Sequence, residues 1–190
     1  GKIANVHYVA NHDGFTLQDV LTYNRKHNEA NKEGNRDGGM YEFSWNCGTE
    51  GPSRKKAVKE LREKLYRNAL VMLFTAQGTP LLVSGDEFGA TKKGNNNSYC
   101  QDNEISWIDW DRKAEYEEMY EFCKFMIKLR KEHPILRGRS GPSGCGFPEV
   151  TIHNKTAWNS ECNADTRTIG IMFAGRTEGN VEDDIIYIGV

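Results

Sequence analysis

Asn11, His12 and Asp13 place a carboxamide, an imidazole and a carboxylate side by side at the end of a short apolar run and just before Gly14. A carboxylate and an imidazole delivered together are groups that proton transfer and electrostatic stabilisation both use. The run from Ile3 to Ala10 reads as a strand buried on both faces, because parallel-barrel strands are almost continuously apolar. Barrel enzymes gather their chemistry at the carboxyl ends of such strands. The same residues also suit an ordinary strand-to-loop exit in which both side chains bond local backbone. Spacing alone leaves the two readings open.

The elements that would position these residues follow in chain order. From Arg54 to Gln77, apolar residues at Val58, Leu61, Leu65, Ala69, Met72 and Leu73 fall at helical spacing, and Gly78 stands where a helix would stop. Thr79 to Gly85 then reads as a second buried strand that ends in Asp86 and Glu87. Strand, helix and strand in this order make a βαβ unit. A further helix is predicted from Lys113 to Glu132, with an apolar stripe of Tyr116, Met119, Tyr120, Cys123, Phe125, Met126, Ile127 and Leu129 and a stop at His133-Pro134. Past Gly138 to Gly146, the short runs Glu149 to His153, Thr168 to Phe173 and Ile185 to Val190 carry strand signals. A domain boundary is therefore expected near residue 140, with 1–140 and 141–190 on either side.

Composition narrows the partners. The 190 residues carry a formal net charge of −2 and no long basic run, so neither nucleic acid nor anionic lipid is expected and a neutral partner is. Cys47, Cys100, Cys123, Cys145 and Cys162 are odd in number and show no Cys-x-x-Cys spacing, which argues against a disulfide framework and a zinc site. No apolar stretch approaches a membrane span, and the start carries no signal-peptide core. A cytoplasmic protein, or a piece cut from a larger one, is the expectation.

Two polar connectors are unusually long: Asp13 to Arg54, with one short helix at Thr16 to Tyr23, and Ala90 to Asp111. Loops of this length in a compact domain are usually functional, and both follow strand ends. Their motifs are specific. His12-Asp13-Gly14-Phe15-Thr16-Leu17, Tyr23-Asn24 with Lys26 to Asn31, Asn35-Arg36-Asp37-Gly38, Ser44-Trp45-Asn46-Cys47-Gly48, Gln77-Gly78-Thr79-Pro80, Gly85 to Gly89 and Gly94 to Asn103 closely resemble the isoamylase and bacterial glycogen debranching enzymes, a pullulanase-like group of the alpha-amylase superfamily. The likeness covers nearly the whole chain, with its motifs in the family's order.

The resemblance implies the last two βα units of a (β/α)8 TIM barrel, followed by the start of an all-β C-terminal domain. It implies a glycoside hydrolase that cleaves α-1,6 branch linkages of glycogen, limit dextrin or pullulan by a retaining mechanism, without a cofactor or metal in this segment. Asp13 would be the transition-state-stabilising carboxylate, whereas the family's nucleophile and acid/base lie upstream of residue 1, so the isolated chain is expected to be inactive. His12 would donate a hydrogen bond to the same sugar. Asn11, Trp45 and Asn97 are the further substrate-binding candidates.

Each candidate has a plainer alternative. Asparagine-rich loops such as Asn95 to Asn97 often bond their own backbone. Asp86 and Glu87, adjacent in extended backbone, would face opposite ways and suit a structural role. Trp107 and Trp110 suit packing, and Glu29 with Arg36 could pair within their loop. A stand-alone α-glucan-binding or assembly module is the alternative function. Self-association is expected in either case, because a partial barrel leaves strand edges and apolar faces uncovered.

Overall fold

Hydrogen bonding at Thr16 shows how the chain leaves its first strand. The backbone of Thr16 is extended and its Oγ1 accepts the Asp19 N–H at 3.1 Å, which caps helix α1 (Leu17–Val20). In this computed structural model, residues 5–137, 145–175 and 185–190 are described. By chain contacts they fall into two compact units, Gly1–Leu73 with Thr79–Met126, and Phe74–Gly78 with Ile127–Val190. The boundary expected near residue 140 lies outside the described residues.

In the first unit, β1 (Val6–His7) pairs in parallel with β2 (Thr79–Pro80), Val6 opposite Thr79 and His7 opposite Pro80. Helix α2 (Lys56–Thr75) lies in the connection between them, giving the βαβ order read from the sequence. The strands are far shorter than expected. Ile3 and Ala4 lie outside the described residues, and Val6, Tyr8 and Val9 are exposed instead of buried on both faces. Double-sided burial needs a pairing partner on each edge and a layer on each face, and among the described residues β1 pairs with β2 alone.

Helix α2 forms nearly where expected but turns a different stripe inward. Arg62, Tyr66, Leu70 and Leu73 are buried, whereas Val58, Leu61, Leu65 and Ala69 are half-buried and Met72 is exposed. Polar tips decide the rotation. The Tyr66 hydroxyl donates to the Asp86 carbonyl at 2.5 Å, and Arg62 donates to the carbonyls of Asn46 at 2.8 Å and Thr49 at 2.5 Å. These contacts satisfy groups that helical spacing of apolar residues does not register.

The second predicted helix is two helices, α3 (Arg112–Glu115) and α4 (Glu117–Glu132), broken at Tyr116. The Arg112 guanidinium stands 4.7 Å above the Tyr116 ring and its Nε donates to the Gly89 carbonyl at 2.7 Å, so the break brings this ring against Gly89. Helix α4 ends before His133-Pro134 as expected, and Pro134–Arg137 continue as a 3-10 turn.

In the second unit, β3 (Val150–His153), β4 (Gly170–Phe173) and β5 (Ile186–Gly189) form an antiparallel sheet in that order. All three lie within the predicted runs. Ile135, Leu136 and Phe173 are its buried centre, with Leu129, Ile171, Ile186 and Ile188 packed against them. Arg130 is buried with carbonyls around it: it donates to Phe74 at 2.7 Å, Ala76 at 2.9 Å and Leu136 at 3.0 Å, and also to Gly78. A cation at the carboxyl end of a helix meets the orphan carbonyls of its last turn.

Candidate functional site

The chain leaves β1 through Tyr8, Val9 and Ala10, and the Asp13 N–H then bonds Asn11 Oδ1 at 2.8 Å in a tight side-chain turn. This turn directs the next two side chains outward. His12 Nε2 stands 3.4 Å from Asp13 Oδ2, with the side chains 88% and 84% exposed. Gly14 follows at φ +139°, a conformation open to glycine, and Phe15 and Leu17 are buried directly behind it. An exposed carboxylate and imidazole thus sit on a rigid base. Asn11 does what the backbone-bonding alternative proposes, whereas His12 and Asp13 remain available to a ligand.

The base is a pair of buried acids. Asp86 Oδ1 accepts the Leu17 N–H at 3.0 Å, fastening the start of α1 to the turn that follows β2. Burial pushes the Asp86 carboxyl up to about 7, against the pull of the Leu17 N–H, and the nearby Asp19 and Glu87 carboxylates raise it further. Asp19, fully buried, accepts the Lys92 N–H at 2.8 Å, the Gly94 N–H at 3.3 Å and the Thr91 hydroxyl. Burial raises its pKa too, with those bonds opposing. Asp86 and Glu87 sit in a 3-10 turn, not extended backbone, and both carboxylates are engaged by backbone, Glu87 Oε2 accepting the Gly85 N–H at 2.8 Å.

The two long connectors are laced together by asparagines. Asn28 and Asn96 exchange bonds, Nδ2 to Oδ1 at 2.8 Å and Oδ1 from the Asn96 N–H at 3.0 Å, and both are buried. Asn95 Nδ2 reaches Asn31 Oδ1 at 2.9 Å, and Asp37 Oδ2 accepts from Asn31 at 2.7 Å and Asn97 at 3.0 Å. The amide donor of Asn31 leads the interactions that hold the Asp37 carboxyl below its usual range. Asn97 is half-buried with its Nδ2 engaged, and the side-chain Nδ2 groups of Asn95 and Asn96 bond the other long connector instead of their own backbone.

Trp45 is 51% exposed, with its backbone N–H bonded to the Val20 carbonyl at 2.9 Å. Glu50 gathers the neighbouring turns, accepting from Asn24 N–H at 2.8 Å, Asn46 Nδ2 at 2.9 Å and Arg25 N–H at 3.2 Å, with His27 Nε2 at 3.1 Å. Burial would raise its carboxyl, but these bonds outweigh it and hold the group near 2. Arg36 bonds the Glu33 carbonyl, and no ion pair to Glu29 is present among the described residues. Trp107 donates to Asp102 at 3.0 Å and Trp110 lies 5.6 Å from Phe88, yet both rings stay largely exposed, so only Trp110 packs as expected and only by one side.

One neighbour of the site escaped the sequence reading: a Cβ built on Gly14 would lie 3.5 Å from Glu42 Oε2. Glu42 also accepts Asn96 Nδ2 at 2.6 Å, so it links the asparagine lacing to the residue after Asp13. Only its alternation with aromatic neighbours could have drawn notice. Among the described residues no group of three or more His, Cys, Asp or Glu could hold a metal, no disulfide forms, and no helix is long and apolar enough to cross a membrane. The chemistry this turn offers is hydrogen bonding by one exposed carboxylate, Asp13, and one exposed imidazole, His12.

No family model matches the chain. It is 48% identical over 136 residues, 72% of its length, to 19% of the glycogen operon protein GlgX homolog of Mycobacterium bovis. It is 47% identical over 178 residues, 93% of its length, to 22% of the chloroplastic isoamylase SU1 of Zea mays. Among solved structures, the pullulanase of Paenibacillus barengoltzii in complex with maltohexaose and alpha-cyclodextrin matches 97% of this chain and 22% of its own, with 25% identity and a TM-score of 0.62. The chain spans about a fifth of the length of the curated relatives it matches.

Proposed function

We infer that this chain, a relative of the isoamylase, glycogen debranching and pullulanase group of the alpha-amylase superfamily, is a segment of a glycosidase that hydrolyses α-1,6 branch linkages in glycogen or a related α-glucan. The mixed helices and sheets agree with the pullulanase structures. The parallel β1–β2 pair with α2 between supports the finer reading, in which residues 1–140 are the last two βα units of a (β/α)8 barrel and 141–190 begin a β domain.

The observation that carries the reading is the outward His12–Asp13 pair at the exit of β1. In a retaining mechanism two carboxylates serve as nucleophile and acid/base. Asp13 would be a third, holding hydroxyls of the reacting sugar and stabilising the charge that grows on its ring, while His12 donates to a hydroxyl of the same sugar. Asn11 shapes the turn that presents them. Trp45 offers a ring face to glucose, and Asn97 would contribute from the second long connector. No cofactor enters this scheme, the partner is an α-glucan, and a cytoplasmic setting suits cysteines without disulfides. The exposed Val6, Tyr8 and Val9 support self-association of the isolated chain.

Asp13→Asn in the full-length protein that carries this segment tests the assignment. Reducing-sugar release from glycogen is expected to fall by several orders of magnitude with substrate affinity little changed. Unchanged turnover would leave the strand end structural. The pure 190-residue chain is expected to release no reducing ends, and release would overturn the three-carboxylate scheme.

A further inference from the structure

Residues 41–46 form a segment whose sides are reversed relative to ordinary amphipathic chain. Exposure alternates residue by residue: Tyr41 is 91% exposed, Phe43 103% and Trp45 51%, whereas Glu42, Ser44 and Asn46 turn inward. Polar bonds fasten the inward side at two points around Ser44, whose own hydroxyl is buried without a hydrogen-bond partner among the described residues. Glu42 accepts from Asn96 at 2.6 Å, the Trp45 N–H reaches the Val20 carbonyl at 2.9 Å, and the Asn46 N–H reaches Asn24 Oδ1 at 2.7 Å. A row of aromatic rings held outward by a polar underside leaves apolar area in water that nothing in this unit covers, and such surface marks a binding face.

Its place and size say what it binds. Glu42, between Tyr41 and Phe43, lies against Gly14, the residue after Asp13, so the row starts beside the candidate site. Successive rings on one side of an extended chain stand about 7 Å apart, so the row runs up to about 14 Å from Tyr41 to Trp45. The three rings expose roughly 500 Å² together, below the roughly 800 Å² per partner that a stable protein interface buries. A single row of exposed rings instead matches a linear carbohydrate, whose C–H faces lie on the rings while its hydroxyls stay toward water. We propose that Tyr41 and Phe43 extend Trp45 into an aromatic track that holds a linear α-glucan chain as it leaves the Asp13 site. The proposal rests on the reading of Asp13 given above.

Calorimetric titration of the 190-residue chain with maltohexaose tests it, using cellohexaose as the stereochemical control and comparing wild type, Tyr41→Ala/Phe43→Ala and Asp13→Asn. All three replaced side chains are exposed, so the urea midpoint serves as a check that folding is unchanged. The double variant is expected to bind maltohexaose about tenfold more weakly, with cellohexaose bound more weakly than maltohexaose by wild type. Unchanged affinity in the double variant overturns the track, as does a wild type that fails to bind maltohexaose at millimolar concentration. So does a double variant that loses only self-association, since that outcome assigns the rings to a second copy of the chain. Asp13→Asn is expected to bind maltohexaose as wild type does, so the double variant alone decides the track, and turnover of the full-length protein alone decides the role of Asp13.

Discussion

Replacing Asp86 by asparagine keeps the Oδ1 that accepts the Leu17 N–H at 3.0 Å and removes a buried titration. In the fold the carboxyl titrates near 7, mainly through burial, against 3.8 for the ordinary side chain. A raised folded pKa means the folded state favours the protonated form, so the stabilisation is complete below the ordinary value and is lost as pH climbs through about 7. Three pKa units at about 1.4 kcal/mol each make this group's contribution about 4 kcal/mol less favourable at pH 8 than at pH 3. The groups facing it, Asp19, Glu87 and Lys92, stay in place in Asp86→Asn and largely cancel between the two proteins. Urea unfolding of both, repeated from pH 5 to pH 8, is therefore expected to show the variant gaining on wild type by about 2–3 kcal/mol across that range, most of it below pH 7. A difference that stays flat with pH would refute the argument, because it would mean that the buried acid either remains charged throughout or is reached by water.

Two substitutions test the frames around the site. Arg130→Leu leaves the carbonyls of Phe74, Ala76, Gly78 and Leu136 without their donor and should cost about 3–5 kcal/mol by urea unfolding; a loss under about 1 kcal/mol would show that water replaces the guanidinium. Gly38→Ala sets a Cβ 2.3 Å from Asn96 Oδ1 on a backbone at φ +73°, so about 2–5 kcal/mol should be lost and amide-exchange protection near Asn28 and Asn96 should drop. Retained protection at Asn96 would show that the loops are not held by this lacing.

Asp13 and His12 stand out in the sequence because an apolar run closing in polar residues and glycine is a local pattern, and the structure leaves both side chains exposed. The sequence also marked α2, α4 and all three strands of the second unit, each of which carries its own periodicity. It misplaced the buried face of α2, where Tyr66 and Arg62 turn inward to reach Asp86, Asn46 and Thr49, partners that helical spacing cannot register. The break at Tyr116 went unseen for the same reason, since it goes with a ring packed against Gly89 of a distant turn. Asn95 to Asn97 looked equally suited to sugar and to backbone until Asn28, Asn31 and Asp37 supplied partners from a loop more than 50 residues earlier. The aromatic row was legible as alternating letters at 41–45, but not which side faced out.

The asparagine lacing also makes the pairing of the two loops depend on single amide groups. Hydrolysis of a side-chain amide to an acid changes its mass by a single unit and leaves its shape almost intact, so a worn copy would look like a new one. At Asn96, however, the nitrogen that now donates to Glu42 at 2.6 Å would become an oxygen facing another carboxylate, and attraction would turn to repulsion. At Asn28 the same change would set a second acid against Asp37, where the amide now donates at 3.3 Å. Asparagine is among the residues that hot-living organisms avoid. Here it ties two loops beside a candidate site, so the loss of a single amide would loosen that tie while leaving the apolar core untouched.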